Sequence, residues 1–152
     1  MGKAVMLSIH KEWVEKIRAG EKTVECRKKR PKGIDVPFKV YLYETLPKSK
    51  NDDRSAYRVV GEFVCDRLYN YTTYPFDDVK DLTDEEMTRM SCLTMSELLE
   101  YESPRIEGTS LYCGLWGWHV TNYIHYERPK SLEEFGLKSA PQSWAYCEEI
   151  ST

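Results

Sequence analysis

The feature that most constrains this chain is a change of hydrophobic period at Gly20. Ahead of it, Ile9, Trp13, Val14 and Ile17 recur at helical spacing, so one helix face is apolar. Beyond it the period is two: Val24 and Cys26 fall on one face, and Thr23, Glu25 and Arg27 on the other. Glycine commonly supplies the left-handed residue that ends a helix. The spacing therefore predicts helix, glycine stop and strand in succession, with Lys22 in the turn beside the helix end.

The rest of the chain divides around that junction. Ala4 to Ile9 is a short apolar run that reads as a buried first strand, followed by the helix from about His10 to Ala19. The second strand spans Lys22 to Lys29 and is broken by Pro31-Lys32-Gly33. Phe38, Val40, Leu42 and Tyr43 mark a third strand ending near Pro47, and Lys48 to Ser55 reads as an exposed polar loop. A fourth strand covers Tyr57 to Leu68, with Gly61 as a bulge, and Tyr69 to Pro75 reads as an aromatic loop. Two short helices follow, each opened by a capping box, Thr83 with Glu86 and Thr94 with Glu97. Ser103-Pro104 ends the second, and Arg105 to Gly114 is a connection. Leu115 to Tyr126 is a strand whose apolar positions are Trp118, Val120, Ile124 and Tyr126. Ser131 with Glu134 opens one further turn, closed at Gly136, and Trp144 to Glu148 is the last strand.

Strands dominate, short helices are inserted, and no regular strand–helix alternation calls for a parallel sheet. The reading is α+β, a small and partly closed β-barrel of about five to six strands, in one domain spanning 1–152. A chain of 152 residues with 41% hydrophobic and 31% charged residues has the make-up of a soluble globular protein. No apolar run approaches the ~20 residues that cross a bilayer, and the N-terminus lacks a signal-peptide pattern. Five cysteines without a close pair suit a reducing, cytoplasmic setting. The net charge of -3 argues against a protein that coats nucleic acid non-specifically, while leaving room for a local basic patch.

The pattern Gly20-x-Lys22-x-x-Glu25-x-Arg27, preceded by Leu7-Ser8-Ile9 and a short amphipathic helix, resembles the signature of the ASCH domain family. Gly117-Trp118-His119, Tyr126 to Leu132, and Ala140 to Trp144 resemble later segments of bacterial and phage ASCH proteins. The resemblance implies a PUA-like barrel, a cleft bordered by the first helix and its following turn, and a link to RNA metabolism. One branch of the family hydrolyses the amide of N4-acetylcytidine with the lysine that matches Lys22. That branch carries threonine where this chain has Glu25, and its second acid falls near Met90 or Ser91, neither of them acidic. Ribonuclease action is reported of other relatives.

Six basic residues and one acid lie between Lys22 and Lys32. The plain reading is a solvated strand and turn. The functional one is an anion-facing edge in which Arg27, Lys28, Lys29 and Arg30 meet phosphates, since arginine can hold a phosphate by two parallel hydrogen bonds. Lys22 is either a dipole partner of the helix end or, if cleft walls desolvate it, a base or nucleophile with a lowered pKa. Glu25 and Arg27 share a strand face; with Lys22 behind them, two cations can surround one carboxylate and hold it ionised. Lys22, Glu25 and Arg27 are candidate nucleic-acid contacts, the Glu25–Arg27 pair as a reader of a base edge if it stands in a cleft; if the protein is an enzyme, Lys22 and Glu25 are the catalytic candidates.

Base stacking needs aromatic rings, and Tyr69, Tyr71 and Tyr74 crowd the expected loop while Trp116 opens a strand. Tyr71 and Trp116 join the candidate nucleic-acid contacts, whereas Trp13 and Trp118 read as core. No zinc-type cysteine spacing, phosphate-binding loop or dinucleotide fingerprint is present, so neither metal nor cofactor is expected. A cysteine–histidine nucleophile is a weak reading. The leading expectation is a module that binds RNA or a modified nucleoside or nucleotide, with no membrane partner. An amidohydrolase or ribonuclease is the alternative, and a partner-binding protein without a charged cleft is the bland one. Nothing in the sequence sets the number of copies that assemble.

Overall fold

The structure is a computed structural model that describes residues 2–47, 57–74, 80–102 and 114–150. In chain order the elements are β1 (Lys3–His10), α1 (Lys11–Arg18), β2 (Val24–Arg27), β3 (Phe38–Thr45), β4 (Arg58–Tyr71), α2 (Asp84–Ser91), α3 (Met95–Glu102), β5 (Leu115–Lys130), a 3-10 turn (Leu132–Phe135) and β6 (Trp144–Glu148). The six strands form one sheet in the order β2-β5-β4-β3-β1-β6. Only the β1–β3 pair is parallel among these neighbours; the others run antiparallel.

The helix stop at Gly20 is a Schellman turn. Gly20 has φ +80°, its N–H donates to Ile17 O, and Glu21 N–H donates to Lys16 O. That turn releases the chain directly into β2, an edge strand in the sheet order. The sheet curls so far that the β2 side chain of Arg27 reaches Ser8 on β1 and Ser143 just ahead of β6. The result is a half-barrel whose two edges are bridged by side chains.

Burial explains the patterning. Val5, Leu7 and Ile9 of β1 join Val14 and Ile17 of α1 with Phe38, Val40, Leu42, Phe63 and Trp118 in one core. Ala4 and Met6, on the opposite face of β1, pack with Tyr41, Val59, Tyr126 and Phe135 in a second. A strand buried on both sides has no polar face, hence the unbroken apolar run. Val24 and Cys26 look the third way, into a cluster with Tyr71, Leu82, Met87 and Leu98 beneath α2 and α3. Both predicted helix caps form: Thr83 and Glu86 exchange backbone and side-chain hydrogen bonds, as do Thr94 and Glu97.

Several boundaries differ from the sequence reading. β2 is Val24–Arg27 rather than Lys22 to Lys29: the carbonyl of Thr23 still accepts from Val120 N, its partner in register, but its N–H donates to Met90 O and that of Lys22 to Lys16 O, so the ladder stops there. β4 runs on through Tyr71, so Tyr69 to Tyr71 is strand and not loop. β5 likewise extends to Lys130, and Ile124, expected inside, is 51% exposed. Asn122 has φ +52° and the β4–β5 register shifts on either side of Ile124, so simple alternation fails there. Register also shifts at Gly61, as expected; a Cβ there would come within 2.7 Å of Ile124 O. The expected loop at Lys48 to Ser55 and the helix end at Ser103-Pro104 lie outside the described residues.

Candidate nucleobase-binding cleft

The open side of the half-barrel is a cleft of about 1410 Å³. The C-terminal ends of β1 and β3, the start of α1, β2 with its extension, α3 and the segment before β6 all contribute to its walls. Its floor is the face of β2 that carries Glu25 and Arg27, with Lys22 from the preceding turn. All three are buried, at 6%, 9% and 2% exposure.

Their contacts are dense. Glu25 Oε2 accepts from Arg27 Nε at 2.8 Å and lies 2.6 Å from Arg27 Nη2. Glu25 Oε1 is 3.2 Å from Lys22 Nζ. Lys22 Nζ also donates to Ser91 O at 2.6 Å and sits 5.0 Å above the centre of the Trp13 ring. The remaining guanidinium hydrogens of Arg27 go to Ser143 O, Ser143 Oγ and Ser8 O, at 3.1, 3.0 and 2.9 Å. Burial by itself would raise the pKa of Glu25, but the charges of Arg27 and then Lys22, with their hydrogen bonds, more than reverse this. Its carboxyl is held below the ordinary value of 4.5.

The sequence-derived candidates separate into three groups. Lys22, Glu25 and Arg27 converge on the floor. Lys28 and Lys29 line the rim, with Lys28 Nζ 4.9 Å over the ring of Tyr101 on α3. Arg30 is exposed just beyond, its guanidinium 5.0 Å over the half-buried Trp116 ring. Tyr71 is the correction. It is fully buried in the third core cluster, with its hydroxyl donating to Asp84, so it presents no ring face to a ligand. Arg27 is a second correction: all five of its N–H groups have protein acceptors, so it is not an exposed phosphate fork.

The structure also exposes what sequence patterning missed. Trp13, read as core, is half-buried: it packs against the first core cluster and also forms a wall of the cleft, a second role that helical spacing does not mark. Ser8, Tyr43, Tyr57, Tyr101 and Ser143 join it only through tertiary folding. Trp118 is core as expected, fully buried against Phe38 and Trp144. Burial pushes the thiols of Cys26 and Cys65 up to about 12, which disfavours either as a nucleophile. His119 pairs with Asp66 and His125 with Tyr123, outside the cleft. Among the described residues no three His, Cys, Asp or Glu side chains gather as a metal site would require, and no helix is long and apolar enough to cross a membrane.

A mixed sheet curled into a half-barrel, with three short helices and a charged cleft at the helix–strand turn, defines an α+β domain of ASCH type. The chain belongs to the ASCH domain family, whose model matches residues 7–130. It is similar in structure to the ASCH protein of Zymomonas mobilis, at a TM-score of 0.66 and 18% identity over 96% of this chain and 88% of that one. Crystal structures of a serine-to-alanine and a tyrosine-to-phenylalanine variant of the same bacterial protein match at TM-scores of 0.66 and 0.65, each at 17% identity, over 96% of this chain and 89% and 91% of theirs. At such identity the likeness shows the fold. No curated protein sequence matches the chain at a comparable level of significance.

Proposed function

We propose that this protein binds RNA, or a modified nucleoside, in the cleft over Lys22, Glu25 and Arg27. The observation that carries the reading is the pairing of a buried, ionised carboxylate with an aromatic wall and a basic rim. Trp13 offers a π-face to a base. Lys28 and Lys29, with Arg30 beyond them, offer cations to a backbone. Glu25 offers a charged acceptor between the two. The free thiols of Cys26, Cys65, Cys92 and Cys147 fit the reducing cytoplasm in which such a ligand occurs.

An amidohydrolase is the second reading, and one observation speaks for it. Ser91, one of the two positions (with Met90) near which the acetylcytidine-hydrolysing branch places its second acid, lies against Lys22. Two observations weigh against it: Ser91 meets Lys22 through its carbonyl, and Lys22 Nζ is held between two oxygens, Ser91 O and Glu25 Oε1.

Thermal denaturation with adenosine, cytidine, guanosine, uridine, their acetylated and methylated forms, and short single-stranded RNAs tests the proposal. A ligand at a hundred times its dissociation constant adds about 2.7 kcal/mol, a shift readily measured. The reading fails if none of these ligands stabilises the protein.

A further inference from the structure

The hydrogen-bond inventory of the cleft floor restricts which part of a ligand can reach it. Arg27 has five N–H groups and five contacts to Glu25, Ser143 and Ser8. None remains for a phosphate. Lys22 has three hydrogens and two oxygen partners, Ser91 O and Glu25 Oε1, so one hydrogen is left on the side of Trp13. Ser143 accepts from Arg27 through its hydroxyl oxygen, and the hydroxyl hydrogen is available to the cleft that Ser143 lines. Glu25, with about four acceptor positions, receives two N–H groups on Oε2 and the ammonium on Oε1. One acceptor position on Oε1 stays open.

The floor therefore offers one anionic acceptor flanked by single donors. A phosphate has acceptors on every side and a negative charge. It would meet the Glu25 carboxylate and find too few hydrogens to satisfy it. A planar group with an N–H beside a lone pair matches, because its N–H can go to Glu25 and its lone pair can take a hydrogen from Lys22 or Ser143. Every nucleobase carries such an edge: an amino or imino hydrogen next to a ring nitrogen or carbonyl.

Resting on the nucleic-acid reading above, we propose that the Lys22–Glu25 pair reads the donor–acceptor edge of one nucleobase, so that the ligand enters base first and its phosphates remain at the Lys28–Lys29 rim. Arg27, expected from the basic run to meet a phosphate, is then no phosphate contact. Arg27 is a positioning residue for Glu25, and Lys22 both holds the carboxylate and contributes a donor.

The test uses the wild-type protein, so no variant has to fold. The best-bound of adenosine, cytidine, guanosine and uridine is compared by calorimetry with the counterpart whose edge hydrogens are replaced by methyl: N6,N6-dimethyladenosine, N4,N4-dimethylcytidine, N1,N2,N2-trimethylguanosine or 3-methyluridine. Methylation is expected to weaken binding by about tenfold or more, the range of a lost base-edge contact. Ribose 5-phosphate is expected not to compete. Equal affinity for the methylated base, or displacement of the nucleoside by ribose 5-phosphate, overturns the base-first orientation while leaving nucleoside binding intact. If no nucleoside binds and no short RNA does either, the function reading itself is wrong and the orientation falls with it.

Discussion

One guanidinium nitrogen of Arg27, on β2, donates to both the carbonyl and the hydroxyl of Ser143, the residue just ahead of β6. These strands are the opposite edges of the sheet, so a single side chain joins the two ends of the half-barrel. The same group grips Glu25, which couples closure of the fold to the electrostatics of the cleft.

Replacing Arg27 should therefore cost both stability and binding. Arg27→Ala leaves a buried carboxylate with only Lys22 beside it, and breaking a buried ion pair from one side costs about 3–5 kcal/mol. Arg27→Lys keeps the charge but has three hydrogens for five contacts, and about 1–3 kcal/mol should be lost. Urea unfolding measures both. A lysine variant as stable as the wild type would show that charge, and not the fork, closes the barrel.

Acid should reveal Glu25. Its folded pKa lies below the ordinary 4.5, so its contribution is complete above that value and disappears as pH falls through the lowered one. The stability gap between wild type and the Glu25→Gln variant should be widest near neutrality, shrink as pH falls below the ordinary 4.5, and close only once pH has passed the lowered folded value. Denaturant midpoints between pH 3 and 7 provide the comparison; a gap that widens on acidification would mean that Glu25 is not held ionised by its neighbours.

Salt should act on the rim and not on the floor. With three or four phosphates engaged, the logarithm of RNA affinity should fall against the logarithm of salt with a slope of roughly -2 to -3. Replacing Lys28, Lys29 and Arg30 together by alanine should flatten that line. A triple variant with the wild-type slope would place the backbone path elsewhere on the surface.

No acetate should be released from N4-acetylcytidine by the purified protein between pH 6 and 9, since Lys22 donates to Ser91 O and Glu25. Assay of the freed acetate decides this. Turnover that disappears in Lys22→Ala, with the fold retained by circular dichroism, would restore the hydrolase reading.

The local grammar of the chain was legible in the amino acids. The helix stop at Gly20, the alternation of Val24 and Cys26 against Glu25 and Arg27, and both threonine capping boxes depend on neighbours within four residues. Backbone geometry fixes such relations before any tertiary contact forms. The association of Lys22, Glu25 and Arg27 was visible for the same reason, because the three lie within six positions of one another. Sequence could not show that Tyr71 is sealed under α2 and α3, that Trp13 walls the cleft, or that Arg27 has no donor left for a phosphate. Each of those facts depends on where a distant segment arrives. Asp84 takes the hydroxyl of Tyr71, Ser91 the ammonium of Lys22, and Ser8 and Ser143 the guanidinium of Arg27. A side chain's periodicity sets the face on which it stands, but its remaining hydrogen-bonding capacity is set by the partners that the curled sheet and its helices bring to it.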